Sequence, residues 1–279
     1  MLLPASWAAP TTTTAAPQPI QTTTDNEQGR AQALQQDPLY SDQVQTLSLG
    51  TQPLVIAAHL TALPQAAGAL ILVPEFNSGP LTAGLTRQMY RTLPLQGWNV
   101  VAINNADLPL PNATEPDKQF WSQASKLLKP RLQETIGWLA QHGEQNLILV
   151  GQGTAGLALM QLTQDNTWPA AIQGIILLAP PPLPDRCNPL PGSLAHFSKP
   201  LLILQDFLPS TLQKGCDYCV QYSRQTQQPF RQLFLAGNDP SFRAVSPYLL
   251  RLLETWLSAL KGTPVSAARG PGADVGPAH

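Results

Sequence analysis

Residues 146–160 read NLILVGQGTAGLALM. The run Leu147–Val150 consists of bulky aliphatics only, and it meets Gly151-Gln152-Gly153-Thr154-Ala155-Gly156. An unbroken aliphatic run ahead of glycines is the pattern of a strand buried on both faces, as in a parallel sheet. The Leu157-Ala158-Leu159-Met160 stretch behind it has high helix propensity. The whole predicts a strand, a sharp turn and a helix, where α/β proteins place their chemistry. Two motifs compete for the turn, a nucleophile elbow and a dinucleotide-binding loop.

Outward from this stretch, the chain of 279 residues is 43% hydrophobic, which is ample for one large α/β domain. No run approaches the ~18–20 apolar residues of a membrane span. A net charge of −1, from 16 basic and 17 acidic residues, offers no field to attract nucleic acid or anionic lipid. Charged residues make up only 12%, about half the usual ~25%, and Gln, Pro and Thr supply the polarity instead. Such a weakly charged, hydrated surface suits an exported protein.

The N-terminus MLLPASWAAPTTTTAAPQP has a short apolar start, an A-x-A-like Ser6-Trp7-Ala8-Ala9 and then a Thr/Ala/Pro tract. It reads as a signal-peptide remnant over residues 1–28 that continues into a linker. Periplasmic or other export is the expectation, with a cytoplasmic location as the alternative. The cysteines are Cys187, Cys216 and Cys219. Cys216-x-x-Cys219 lies well after a strand, and the second pair a zinc site needs is missing. The expectation is one structural disulfide in an oxidising compartment, with one thiol left over.

In chain order, residues 30–41 predict a short helix ended by Pro38. Val44–Leu49 and Leu54–Leu60 predict a hairpin, Ala69–Val73 a buried strand, and Leu85–Leu95 a helix. Asn99–Ile103 is the next strand. A helix over Glu115–Gln141 follows, with Pro130 expected to kink it. After the central strand and a helix over Thr154–Thr163, strands follow at Gly174–Ala179, Pro200–Leu204 and Pro229–Leu235. Tyr248–Leu260 is an amphipathic last helix. A hairpin followed by repeated strand–helix units gives a mostly parallel sheet with helices on both faces. One domain over residues 30–261 is expected, with residues 262–279 as a loose tail.

This order of elements is that of an α/β-hydrolase, which carries its nucleophile on a strand–turn–helix elbow reading G-x-S-x-G. Laid on this chain, the motif puts Gly151 at its first glycine and Gly153 at the serine. Without an oxygen or sulfur there, no acyl-enzyme can form. Asp206 occupies a plausible acid position, but the loop after the last strand reads Gly237-Asn238-Asp239-Pro240 and has no histidine. His59, His142, His196 and His279 all fall in the wrong places. Glu75 stands in the loop after the third strand, where a carboxylate is expected to oppose an oxyanion. Thr154, at the helix start, is expected to cap a backbone N–H, with no base placed to activate it.

Gly151-x-Gly153-x-x-Gly156 also satisfies the dinucleotide fingerprint G-x-G-x-x-G. The ribose-binding acid expected about 20 residues on is absent, because the next strand ends Leu178-Ala179-Pro180. The glycines then serve a sharp turn and close helix–strand packing, and no cofactor or metal is expected.

Several stretches together resemble an uncharacterised, domain-of-unknown-function family of Gram-negative bacteria. They are Gly68–Val73, Leu93-Pro94 with Gly97-Trp98, Leu149–Ala155, Phe230–Leu233, and Leu253 with Trp256-Leu257. The resemblance implies an α/β-hydrolase-like fold with a G-x-G-T turn in place of the serine elbow, and export, but no activity. The family usually has glycine where this chain has Glu75.

The leading expectation is a non-catalytic fold that binds a small molecule or an envelope partner at the cleft above the central strand, since ligands of such sheets sit at strand C-terminal ends. The candidate cleft residues are Glu75, Phe76, Asn77, Asn104, Asn105, Gln152, Gly153, Thr154, Asp206, Asn238 and Asp239. The alternative is a hydrolase with a rearranged, non-serine site, for example a cluster of Glu75, Asp206 and Asp239 flanking one water. A third is an assembly factor of the envelope.

Overall fold

The computed structural model describes residues 29, 32–36, 40, 43–81, 84–105, 118–163, 169–180, 199–206, 230–235, 242 and 246–260. Eight strands form one sheet. They are β1 (Val44–Leu49), β2 (Gln52–His59), β3 (Gly68–Val73), β4 (Trp98–Ile103), β5 (Leu147–Gln152), β6 (Ile172–Leu178), β7 (Leu201–Asp206) and β8 (Phe230–Leu235). Their spatial order is β1-β2-β4-β3-β5-β6-β7-β8. β2 pairs antiparallel with both β1 and β4, and every other pairing is parallel.

Besides a short helical stretch at residues 32–36, the helices are α1 (Leu85–Thr92), α2 (Lys118–Gln141), α3 (Gly153–Thr163) and α4 (Ser246–Leu260), with a 3-10 turn at Leu93–Gln96. The helix expected over Leu85–Leu95 thus ends early. Pro94 at the second position of the 3-10 turn cannot donate a helical hydrogen bond, and left-handed Gly97 (φ 89°) stops the turn. Pro130 lies inside α2 without ending it.

Residues of β3 and β4 are buried throughout, as are Leu147–Gly151 of β5. Alternate side chains feed two cores. Ile71, Leu149, Ile175 and Ile203 pack with α2 and α3. Leu70, Val100, Val150, Ile176 and Leu202 pack with α1 and α4. A strand buried on both faces has no polar side to show, which is why these segments read as continuous aliphatic runs. The strand boundaries differ from the predicted ones by at most two residues, and every predicted strand is present.

Candidate functional site

The site is built by strand register. β3 and β5 are parallel neighbours with Val73 opposite Gly151. Two residues further along each strand come Glu75 and Gly153, so the loop after β3 meets the turn after β5. At that turn Gly153 is left-handed, with φ +55°, and it opens α3. Gly151 and Gly156 serve packing: a Cβ on Gly151 would lie 2.6 Å from the Gly156 Cα, so α3 rests directly on its own strand.

The Glu75 carboxylate occupies the space beside Gly153, and a Cβ at position 153 would fall inside it. The Thr154 N–H donates to both carboxylate oxygens, at 2.9 Å each. The Phe76 N–H donates to Oε1 at 3.0 Å, and the Thr154 hydroxyl donates to the same oxygen. A serine elbow builds its oxyanion hole from the N–H of the residue after the nucleophile and an N–H of the loop after the third strand. Thr154 and Phe76 hold those two places, and the chain's own carboxylate fills the hole. A carboxylate here does oppose an oxyanion, because Glu75 itself takes the N–H groups that would hold one. The expectation for Thr154 is corrected, since its hydroxyl goes to Glu75, and a carboxylate base does lie within its reach.

Burial pushes the Glu75 carboxyl above its ordinary value, and the N–H groups of Thr154, Phe76 and Ala155 partly offset this. The helix N-terminus that would hold a pyrophosphate in the dinucleotide reading carries this carboxylate instead.

The remaining candidates divide. Asn77 adopts φ +58° in the loop after β3, and Ala179 φ +44° just after β6. For alanine this conformation costs about 1–2 kcal/mol, and such strain concentrates at functional edges. Asn104 and Asn105 are fully buried rather than lining an open cleft. The Asn105 Nδ2 donates to the Pro74 carbonyl at 2.7 Å. The Asn77 N–H donates to the Asn105 carbonyl, and the Asn105 N–H to that of Ser78. Asn105 thus pins the loop that aims Glu75. Gln152 ends β5 with its Oε1 buried and unpartnered. Asp206 ends β7 opposite Leu235; its side chain, like Asn238, Asp239, Cys187, Cys216 and Cys219, lies outside the described residues.

Sequence reading missed Arg131, a buried cation of α2 whose Nη1 donates to the Asn104 carbonyl at 2.6 Å, at the end of β4. Its signal was a charge set among Leu128, Leu132 and Thr135, on the apolar stripe of that helix. Among the described residues no group of three or more His, Cys, Asp or Glu side chains could hold a metal ion. No described helix is long and apolar enough to cross a membrane.

No protein-family profile and no curated protein sequence matches the chain, so the uncharacterised Gram-negative family draws no support from them. Solved structures do match. The chain is similar to a dienelactone hydrolase from Anabaena variabilis, with TM-score 0.57 and 16% identity over 78% of this chain and 98% of that one. It is also similar to the esterase domain of a Rhodothermus marinus protein, with TM-score 0.57 and 14% identity over 78% and 98%. A proline iminopeptidase from Mycobacterium smegmatis matches with TM-score 0.57 and 11% identity over 78% and 98%. With the strand order and the single antiparallel strand β2, these likenesses show one thing: the chain has the α/β-hydrolase fold.

Proposed function

We propose that this chain is a non-catalytic α/β-hydrolase-fold protein of the cell envelope that binds a ligand or partner at the C-terminal edge of its sheet. The observation that carries the reading is the Glu75 carboxylate on the N–H groups of Thr154 and Phe76. Acyl transfer needs a nucleophile and an empty oxyanion hole; here the nucleophile position is glycine and the hole is filled from within. What binds does so above this seal, on the loops after β3, β5 and β6. Export rests on the N-terminal sequence and is tested by fractionation of expressing cells.

The experiment for catalysis is turnover of p-nitrophenyl acetate and butyrate. The expected rate for purified protein equals that of buffer. Turnover that disappears in both Thr154→Val and Glu75→Gln, and persists in Leu95→Ser, overturns the proposal.

A second reading is favoured by a specific observation, the Thr154 hydroxyl on Glu75. A hydroxyl on a carboxylate whose affinity for protons is raised has the form of a nucleophile–base pair. Against it, Glu75 uses the same N–H groups that would stabilise the oxyanion. The carboxylate cluster of Glu75, Asp206 and Asp239 remains a proposal resting on sequence positions.

A further inference from the structure

A second concavity lies at the opposite edge of the sheet. β2 runs against the parallel strands, so its last residue, His59, sits beside Val100 near the start of β4. There, with the start of β1 and the end of α2, it borders a cavity of about 440 Å³. Gln43, Gln45, His59, Leu60, Trp138 and His142 line it. The volume is that of a small-molecule site.

The lining states what would fit. Among the described residues that line it there is no Asp, Glu, Lys or Arg, so a charged ligand would lose hydration there without an ionic partner. Both imidazoles are oriented by the backbone. His59 Nδ1 lies 3.1 Å from the Tyr90 carbonyl and His142 Nδ1 2.8 Å from the Trp138 carbonyl. A carbonyl can only accept, so each Nδ1 carries its proton and, in the neutral ring, each Nε2 is an acceptor. Gln45 is exposed and offers its whole amide, while the Gln43 Oε1 is taken by the Tyr90 hydroxyl. The cavity therefore offers both acceptors, the two imidazole nitrogens and the Gln45 oxygen, and amide donors, a mixed set that suits hydroxyls, which donate and accept. The Trp138 and His142 rings, 4.0 Å apart between centroids and inclined by 38°, add an aromatic wall.

We infer that this cavity binds a neutral, hydroxyl-rich molecule of sugar size, whose hydroxyls donate to the imidazole nitrogens and whose ring rests on the aromatic wall. The site is separate from the sealed elbow and independent of the proposal made for it.

The test is calorimetric titration of the full chain with glucose, galactose, maltose and trehalose, with zinc chloride as a separate arm. Saturable binding of at least one sugar is expected, weakened about tenfold in His142→Ala/Gln45→Ala and unchanged in Leu95→Ser, an exposed position away from the cavity. His142 and Gln45 are exposed too, and circular dichroism verifies that the double variant is folded. Heat signals absent for all four sugars, or sugar binding indifferent to the double substitution, overturn the inference. Zinc binding that is lost in His59→Gln/His142→Gln, without any sugar binding, also overturns it by making the cavity a metal site.

Discussion

Replacing Gly153 with alanine places a methyl group inside the volume of the Glu75 carboxylate. Two costs follow. Alanine at φ +55° pays about 1–2 kcal/mol for the left-handed backbone. The methyl also expels the carboxylate from the N–H groups of Thr154 and Phe76. Bonds of that charge-assisted kind contribute about 1.5–3 kcal/mol each, and recovered hydration of the freed carboxylate offsets part of the loss. The single variant should lose about 3–5 kcal/mol of stability. In a Glu75→Ala background nothing remains to be expelled, so the same substitution should cost only the backbone part, about 1–2 kcal/mol. The interaction energy of the cycle is then about 2–3 kcal/mol, at the upper end for directly coupled residues. Urea denaturation of the wild type, both singles and the double measures it. A cost for Gly153→Ala that agrees within about 0.5 kcal/mol in the two backgrounds would refute the claim that Glu75 fills the elbow.

Three further outcomes are expected. Because burial raises the Glu75 carboxyl above 4.5, the folded chain holds its proton where the unfolded chain has released it. Stability relative to Glu75→Gln should therefore be highest below pH 4.5 and fall as pH rises through the raised value. Glu144, also raised by burial, is common to both proteins and cancels in this comparison of denaturation midpoints. Asn105→Ala leaves the Pro74 carbonyl without its partner and should cost about 1–3 kcal/mol, read as a lowered thermal midpoint with greater proteolysis of the loop after β3. Gly153→Ser should install no esterase activity, alone or with Glu75→Gly, since the stretch Gly237-Asn238-Asp239-Pro240 just after β8 has no histidine to activate the serine; measurable p-nitrophenyl acetate hydrolysis by either variant would contradict this.

The two-faced burial of β3, β4 and β5 imposes unbroken aliphatic runs, so these strands were legible without any tertiary information. The glycine turn was legible for a related reason: a strand run directly into a helix needs residues without Cβ where the two touch. Sequence also showed which chemistry was missing, because a serine replaced by glycine and a missing histidine are local facts. Element ends were less legible, as at Leu93–Gln96, where Pro94 and Gly97 turn a helix end into a 3-10 turn. Arg131 was overlooked because a charged residue on a helix reads as solvated, and only packing against β4 shows that it is buried.

The sequence by itself determined the α/β-hydrolase order of elements and the glycine at the place where the elbow motif has serine, since both follow from hydrophobic periodicity and residue identity along the chain. What fills the space beside Gly153 was decided by tertiary structure alone. Glu75 and Gly153 are far apart in sequence, and no periodicity relates them. They meet because β3 and β5 pair with Val73 opposite Gly151, and a shift of that register would carry the carboxylate away from the N–H groups it now holds.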